Sequence, residues 1–402
     1  MARVWIYDRS KTASYKKLAA KAKEAGRKPP GRWMVMYLDR TNRQRSESMS
    51  TKTLAENRQR ELEQSLSTGT YVDPTAGKVR LGEIAEKWLE SRHELRPSTW
   101  WKYRGLLDNH VLPRWGDLPL NAITKEDVAV WVAKLVRSKD QGGSGLGPSQ
   151  ARHAYRVLSM VLGWCVPARL PSNPAKGVTV PVAPDAEHVY LTYRQVELLA
   201  TAAGTLRTKY NRPTAGAAVN RVLILLLAYT GLRWGEAAAL LVRHVDLANR
   251  RIRVVRTFYE LGGVQHVGPP KTGKARTVAI PASLVPELRA LIAGRDDDEL
   301  VFRTARGLSL RANNWRVREF NAAVAAAKLK VKGLTPHKLR HTAASLAIAA
   351  GADVKVVQQM LGHRDAAMTL DVYGHLWPDR LDVVADALDV GRAAAVAELA
   401  AA

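Results

Sequence analysis

Cysteine is almost missing from this 402-residue chain: Cys165 stands alone, so no internal disulfide can form and no cysteine cluster can hold a metal. The composition fits a reducing cytoplasm. Long apolar runs are missing too. The longest, Val222 to Tyr229, falls far short of the ~20 residues that a membrane-crossing helix needs, so no membrane partner is expected. The first thirty residues scatter Lys and Arg without an apolar stretch, and no secretory signal is expected from them. Acidic residues are scarce: 37 Asp and Glu face 62 Lys and Arg, a formal net charge of +25. An excess of that size points to a polyanionic partner, nucleic acid first and an anionic membrane surface second. Hydrophobic residues make up 46% of the chain, so the charge rides on folded domains and not on a disordered basic tail. At ~150 residues per domain the length allows two to four of them.

The charge is uneven. Residues 1–50 hold 13 Lys and Arg against 4 acidic residues, an electrostatic footprint for DNA or a solvated basic extension. Within it RWMVMYLD reads as a strand, TNRQ as a turn, RSESMS as a second strand and TKTLAENRQRELEQSL as a polar helix. From Val79 to Lys176 the pattern turns helical, with helix starts expected at Ser98, Thr124 and Ser149 and with Trp88, Trp100, Trp131 and Trp164 at core spacing. Cys165 falls in the last of these helices and reads as core. The proline-rich stretch LPSNPAKGVTVPVAPDAEH is the expected linker, with a boundary near residue 180. Beyond it Thr192 caps a new helix, RVLILLLAYTGLRWGEAAAL is a buried helix and turn, and RRIRVVRTFYELGGVQHVGPPKTGKARTVAIP alternates like one small antiparallel sheet.

Four stretches of the C-terminal half gather chemistry-bearing side chains: TGLRWGEAAAL (Arg233, Glu236), PKTGKARTVAIP (Lys271), TPHKLRHTAASLAIAAGADVKVVQQMLGH (His337, Arg340, His363) and TLDVYGH (Tyr373). Singly each is weak. His337 and His341 stand at the spacing of a zinc pair, but the Glu of HExxH is missing and Arg340 between them opposes a divalent ion. Asp296 to Glu299 could suggest magnesium ligands and reads instead as a solvated loop after Gly294. No metal is expected.

Together, the order and spacing of these elements resemble the tyrosine recombinase (phage integrase) family, from roughly residue 80 to residue 380. The set is an Arg in TGLRxGE, a Lys in PKTxxxRxVxxP, an HxxR opening a helix, an LGH about twenty residues on, and a Tyr ten residues later. Of twelve tyrosines only Tyr373 lies beyond residue 259, which leaves one candidate nucleophile. The LGH element runs into Arg364 and Asp365 where small polar residues are often seen, and Lys274 competes with Lys271 for the lysine role.

The resemblance implies transesterification of a DNA phosphodiester through a 3′-phosphotyrosine on Tyr373. Arg233 and Arg340 would clamp the non-bridging oxygens as bidentate cations. Lys271 would protonate the departing 5′-oxygen, His337 would accept or relay the tyrosine proton, and His363 would hydrogen-bond a phosphate oxygen. Glu236 would orient Arg233 or His337. No cofactor, ATP included, is implied.

The implied fold is mainly α with small antiparallel β-sheets (α+β). A basic arm-type domain would occupy 1–75, a helical core-binding (SAM-like) domain 79–176, the mixed catalytic domain 185–385 and a tail helix 386–402. The expected function is a site-specific recombinase that integrates or excises a phage or mobile element. A homotetramer would act on double-stranded DNA with core-type and arm-type sites, aided by an excision factor and a DNA-bending host protein. A type IB-like topoisomerase, a resolvase and a catalytically silent DNA-binding regulator are the alternatives.

Overall fold

The computed structural model describes residues 4–39, 42–68, 71, 73, 75–183, 189–207, 216–377 and 381–401. The chain divides into two compact units, residues 1–186 and 187–402. The first unit opens with an antiparallel three-stranded sheet in sequence order, Val4–Asp8, Trp33–Leu38 and Gln44–Met49. Trp5 pairs with Met36 and Tyr7 with Met34, so the period of two puts Trp5 and Tyr7 on an exposed face and Val4, Val35 and Tyr37 on the other. There they share a core with Ala55 and Leu62 of the helix Lys52–Ser67. The sequence pattern anticipated the last two strands and this helix but missed the strand Val4–Asp8 and the helix Ala13–Glu24. The missed helix buries none of its side chains, so it carries no apolar stripe for periodicity to detect.

The rest of this unit packs the helices Leu81–Glu90, Pro97–Leu106, Lys125–Val136 and Pro148–Trp164 around Leu81, Trp88, Trp115, Trp131 and Leu158. Thr124 caps its helix as its side chain accepts from the Asp127 N–H. Ser98 and Ser149 are not caps: each follows a proline that takes the first helical turn, leaving Arg96 and Gly147 at the cap, because proline has a preset φ and no N–H to satisfy. Trp164 also departs from expectation. It is 39% exposed at its helix end, whereas Trp115 is fully buried. Cys165 is buried, its thiol donating to the Val161 carbonyl.

The second unit is built around the helix Ala217–Thr230, buried at ten of its fourteen positions and therefore its central strut. The helix Tyr193–Gly204 lies against it, started by a Thr192–Gln195 capping box, and so does the helix Pro336–Ala349. The alternating stretch after residue 250 forms two sheets rather than one. Val245–Asp246, Arg251–Val254 and Arg276–Ala279 make a three-stranded sheet, while Thr257–Leu261 pairs only with Val264–Gly268. The hairpin has no buried residue, and Arg256 at its base is tied to the Ala239 carbonyl, so the chain leaves the first sheet there. The helices Val354–Leu361 and Ala367–Tyr373 close this unit over a small core of Ala344, Ile348, Val357, Leu361 and Tyr373. The last helix, Leu381–Ala401, leaves Leu388, Val390, Val396 and Leu399 exposed.

Candidate active site

The site grows from helix ends. Thr230 closes the central strut, and Gly231 takes a left-handed φ of 66° that turns the chain so that Arg233 becomes the cap of the short helix Trp234–Ala238. Three residues on, the Glu236 carboxylate turns back, accepting from the Arg233 backbone N–H at 2.9 Å and from Arg233 Nη1 at 3.1 Å. Both of its oxygens are also taken by Arg276, which donates from Nη1 at 2.8 Å and Nη2 at 2.7 Å. Glu236 is 3% exposed. Burial alone would raise its pKa, but the Arg276 fork and the Arg233 contacts reverse that and hold it below the ordinary value. Of the two expected roles for Glu236, the geometry shows the Arg233 contact and not a His337 contact, and it adds Arg276.

Arg340 is 3% exposed. From the helix Pro336–Ala349 it donates Nη1 to the Gly231 carbonyl at 2.5 Å and Nη2 to the Leu361 carbonyl at 2.6 Å. Those carbonyls end two different helices, whose partial negative charge favours a cation there. A guanidinium has five N–H donors, so three have no partner among the described residues. Burial and the neighbouring Arg233 charge pull the Arg340 pKa well below the usual guanidinium range.

Gly362 ends the helix Val354–Leu361 at φ 63°. A Cβ there would lie 2.6 Å from Arg276 Cδ, so glycine is what lets the LGH turn seat against Arg276. The next residue, His363, shares a 2.9 Å hydrogen bond between Nδ1 and the Thr369 hydroxyl. Burial first, then the charges of Arg340, Arg233 and Arg276, push its pKa down to about 4. Burial and the Arg340 and Arg233 charges also lower His337, and Lys271 contributes in the same sense. Lys271 does not stand at the tip of the protruding hairpin, where Gly262 and Gly263 lie. It occupies the turn closed by the Gly273 N–H on the Pro270 carbonyl, with Lys274 beyond it.

Tyr373 ends its helix with 1% exposure. Burial raises the phenol to about 12 even though Arg340 and Arg233 pull it down. Its described hydrogen-bond partner is Nδ1 of His341, at 2.8 Å, and not His337. The His337 and His341 rings meet edge to face at 5.0 Å. The structure therefore gathers Arg233, Glu236, His337, Arg340, His363 and Tyr373 around the same guanidinium charges. It adds Arg276, which the motif contained without a role, and His341, which the sequence suggested only as half of a zinc pair. No group of three or more metal-ligating side chains occurs among the described residues, and Asp296 to Glu299 lie in a loop where Asp298 pairs with Arg243 and Glu299 with Arg303. Beside the site, a cavity of about 530 Å³ is lined by Lys274, Arg276, Lys355, Gln358, His363 and Arg364.

Comparison with known proteins places the chain among relatives. The Phage integrase family model matches residues 190–380, and the model for a phage integrase N-terminal SAM-like domain matches residues 80–136. The chain is 26% identical over 355 residues to a prophage phiRv2 integrase of Mycobacterium tuberculosis, covering 85% of this chain and 88% of that protein. It is 28% identical over 312 residues to the tyrosine recombinase XerC of Salmonella typhi, 75% of this chain and 92% of that one. The Tn1549 transposon integrase, solved with transposon right-end DNA, shares the fold at a TM-score of 0.64 and 20% identity, covering 79% of this chain and all of that one. A lambda integrase tetramer on a Holliday junction does so at 0.54 and 18%, covering 83% and 93%.

Proposed function

The chain belongs to the phage integrase family of tyrosine recombinases and is a site-specific DNA recombinase; from that premise we propose how its side chains divide the work. Attack on a phosphodiester builds negative charge on the non-bridging oxygens. Arg233, a fifth exposed at its side chain, and the free N–H groups of Arg340 supply a preorganised double clamp for it. A Thr369 hydroxyl that donates to Nδ1 of His363 leaves the proton on Nε2, which can then donate to a phosphate oxygen. Tyr373 forms the bond to phosphorus, giving a 3′-phosphotyrosine, and Lys271 gives its proton to the departing 5′-oxygen. A phenol is a far better leaving group than an alkoxide, so the bond energy is kept for rejoining and no ATP is needed. The guanidiniums supply the charge neutralisation that a metal would bring, and the reaction should persist in EDTA.

The observation that carries this reading is the common electrostatic centre: Arg340 and Arg233 perturb Tyr373, His337 and His363 alike. The basic cavity between Lys274 and Arg364 adds a seat for neighbouring backbone phosphates. Further parts of the proposal are a homotetramer on double-stranded DNA, arm-type DNA contacts from the basic N-terminal sheet, and a cytoplasmic site of action with an excision factor and a DNA-bending host protein. The Leu381–Ala401 helix, apolar and exposed, would pack on a neighbouring copy. A nicked suicide DNA substrate carrying the cognate site tests the chemistry. The wild type should give an SDS-stable protein–DNA adduct with or without EDTA, and Tyr373→Phe none. An equal adduct from the Phe variant would reject the nucleophile, and strict dependence on a divalent ion would reject the mechanism.

A further inference from the structure

We propose that His341 is the group that holds the Tyr373 hydroxyl before attack and takes its proton during it. This inference rests on the recombinase reading above. It assigns a catalytic residue outside the six motif side chains.

The geometry is specific. The phenol is buried, and its described hydrogen-bond partner is the Nδ1 atom of His341, 2.8 Å away. Tyr373 is protonated at neutral pH, since burial raises its pKa to about 12, and a buried O–H needs an acceptor. His341 Nδ1 fills that need when the imidazole is neutral, with its proton on Nε2. The opposite polarity, His341 donating to the phenol oxygen, would leave the phenolic proton without a described acceptor. His337 lies one turn earlier on the same helix, with its ring edge-on to that of His341 at 5.0 Å. Of the two histidines of HKLRH, which share one helix face, His341 is the one whose hydrogen bond to the Tyr373 hydroxyl is described.

The step balances without a further reactant. The Tyr373 oxygen forms a bond to phosphorus as the bond from phosphorus to the 5′-oxygen breaks. The phenolic proton moves to His341 Nδ1, and the 5′-oxygen receives one from Lys271. Rejoining runs the same transfers backwards. Among the described residues, the charges that act on the phenol are those of Arg340, Arg233 and Tyr190, and no carboxylate is among them.

The test separates the nucleophile's side of the reaction from the leaving group's. Wild type, His341→Ala, His337→Ala and Lys271→Ala are assayed for adduct formation on a normal suicide substrate and on one with a 5′-bridging sulfur, whose thiolate leaves without a proton. Losing proton transfer to a positioned base should slow the His341→Ala reaction at least ~100-fold. Sulfur should restore Lys271→Ala and leave His341→Ala slow. Raising the pH should recover His341→Ala, because a phenolate needs no acceptor; a merely structural role for His341 would show no such recovery. DNA binding by gel shift and the melting curve report folding, and His341→Asn, which keeps a carbonyl acceptor, replaces the Ala variant if that one fails to fold. Cleavage within threefold of wild type, rescue by sulfur, or a flat pH response would overturn the assignment. Failure of wild type itself to form an adduct would instead refute the recombinase reading.

Discussion

The buried Glu236 is the perturbation whose consequence is easiest to size. Its side chain is 1% exposed, and Arg276, 10% exposed, grips both oxygens at 2.7 and 2.8 Å. Removing the carboxylate charge as Glu236→Gln leaves Arg276 and Arg340 buried without a counter-charge and sets an amide N–H₂ against a guanidinium. Breaking a buried ion pair from one side costs ~3–5 kcal/mol, a large fraction of the 5–15 kcal/mol that a folded domain has to lose. Arg276→Gln should cost a similar amount by stranding the carboxylate with Arg233 as its remaining cation. The double variant removes both charges and should recover ~2–3 kcal/mol of the summed loss. It should not recover all of it, since Arg233 still loses the carboxylate that aims it. Native-state hydrogen exchange on the full chain reads this locally. Amides of the segments 217–240 and 336–349 should exchange ~150-fold faster in either single variant, the equivalent of ~3 kcal/mol. Single-variant losses below ~1 kcal/mol, or a double variant that is additive within ~0.5 kcal/mol, would refute the account of Glu236 as the hub joining the two arginines.

Two further outcomes follow from the site. His363 titrates near 4 when folded and near 6.5 when unfolded, so between those values the unfolded chain binds the extra proton and acid favours unfolding. The urea midpoint of the second unit should fall as pH drops from about 6.5 to about 4, and His363→Gln should flatten that slope; a midpoint flat or rising over the window in the wild type contradicts the assignment. Gly362→Ala should lose more stability than Gly351→Ala. Both positions have a left-handed φ, 63° and 90°, and share a backbone penalty of ~1–2 kcal/mol, but only at Gly362 does the new Cβ meet Arg276, at 2.6 Å, while nothing lies within 4 Å at Gly351. Equal urea midpoints for the two variants would show that the LGH turn does not need its close seat.

Much of this was legible from local pattern. Elements with an apolar face or a polar cap declared themselves: Thr192 and Thr124 head their helices as the side-chain chemistry requires, and the core-spaced Trp88 and Trp131 are buried. What escaped has a physical reason each time. The helix Ala13–Glu24 has no buried side, so nothing in its spacing marks it. Ser98 and Ser149 looked like caps because the proline before each was not weighed as the first helical residue. In the site, the motif residues could be listed but not their contacts, because these span long stretches of chain. Arg276 reaches Glu236 across forty residues and Arg340 reaches Gly231 across 109. Spacing on one helix placed His337 and His341 on one face and could not say which would meet a tyrosine more than thirty residues later.

Under the proposed mechanism, the contacts explain how the guanidinium cluster would favour the transition state. Arg233, Arg276 and Arg340 converge with the buried carboxylate of Glu236 between them, and their charge acts on Tyr373, His337 and His363, with both histidines driven toward their neutral forms. A phosphodiester brings one negative charge to this surplus, and the phosphorane brings a second. Each added charge meets cations whose positions are already fixed by the carbonyls of Gly231 and Leu361 and by Glu236. Under the proposed roles these cations would not have to reorganise when the second charge appears, so the attraction would grow between ground state and transition state, and only that difference lowers the barrier. On this proposal the surplus positive charge is held during folding, against stability, and would be compensated when the reaction delivers its negative charge between Arg233 and Arg340.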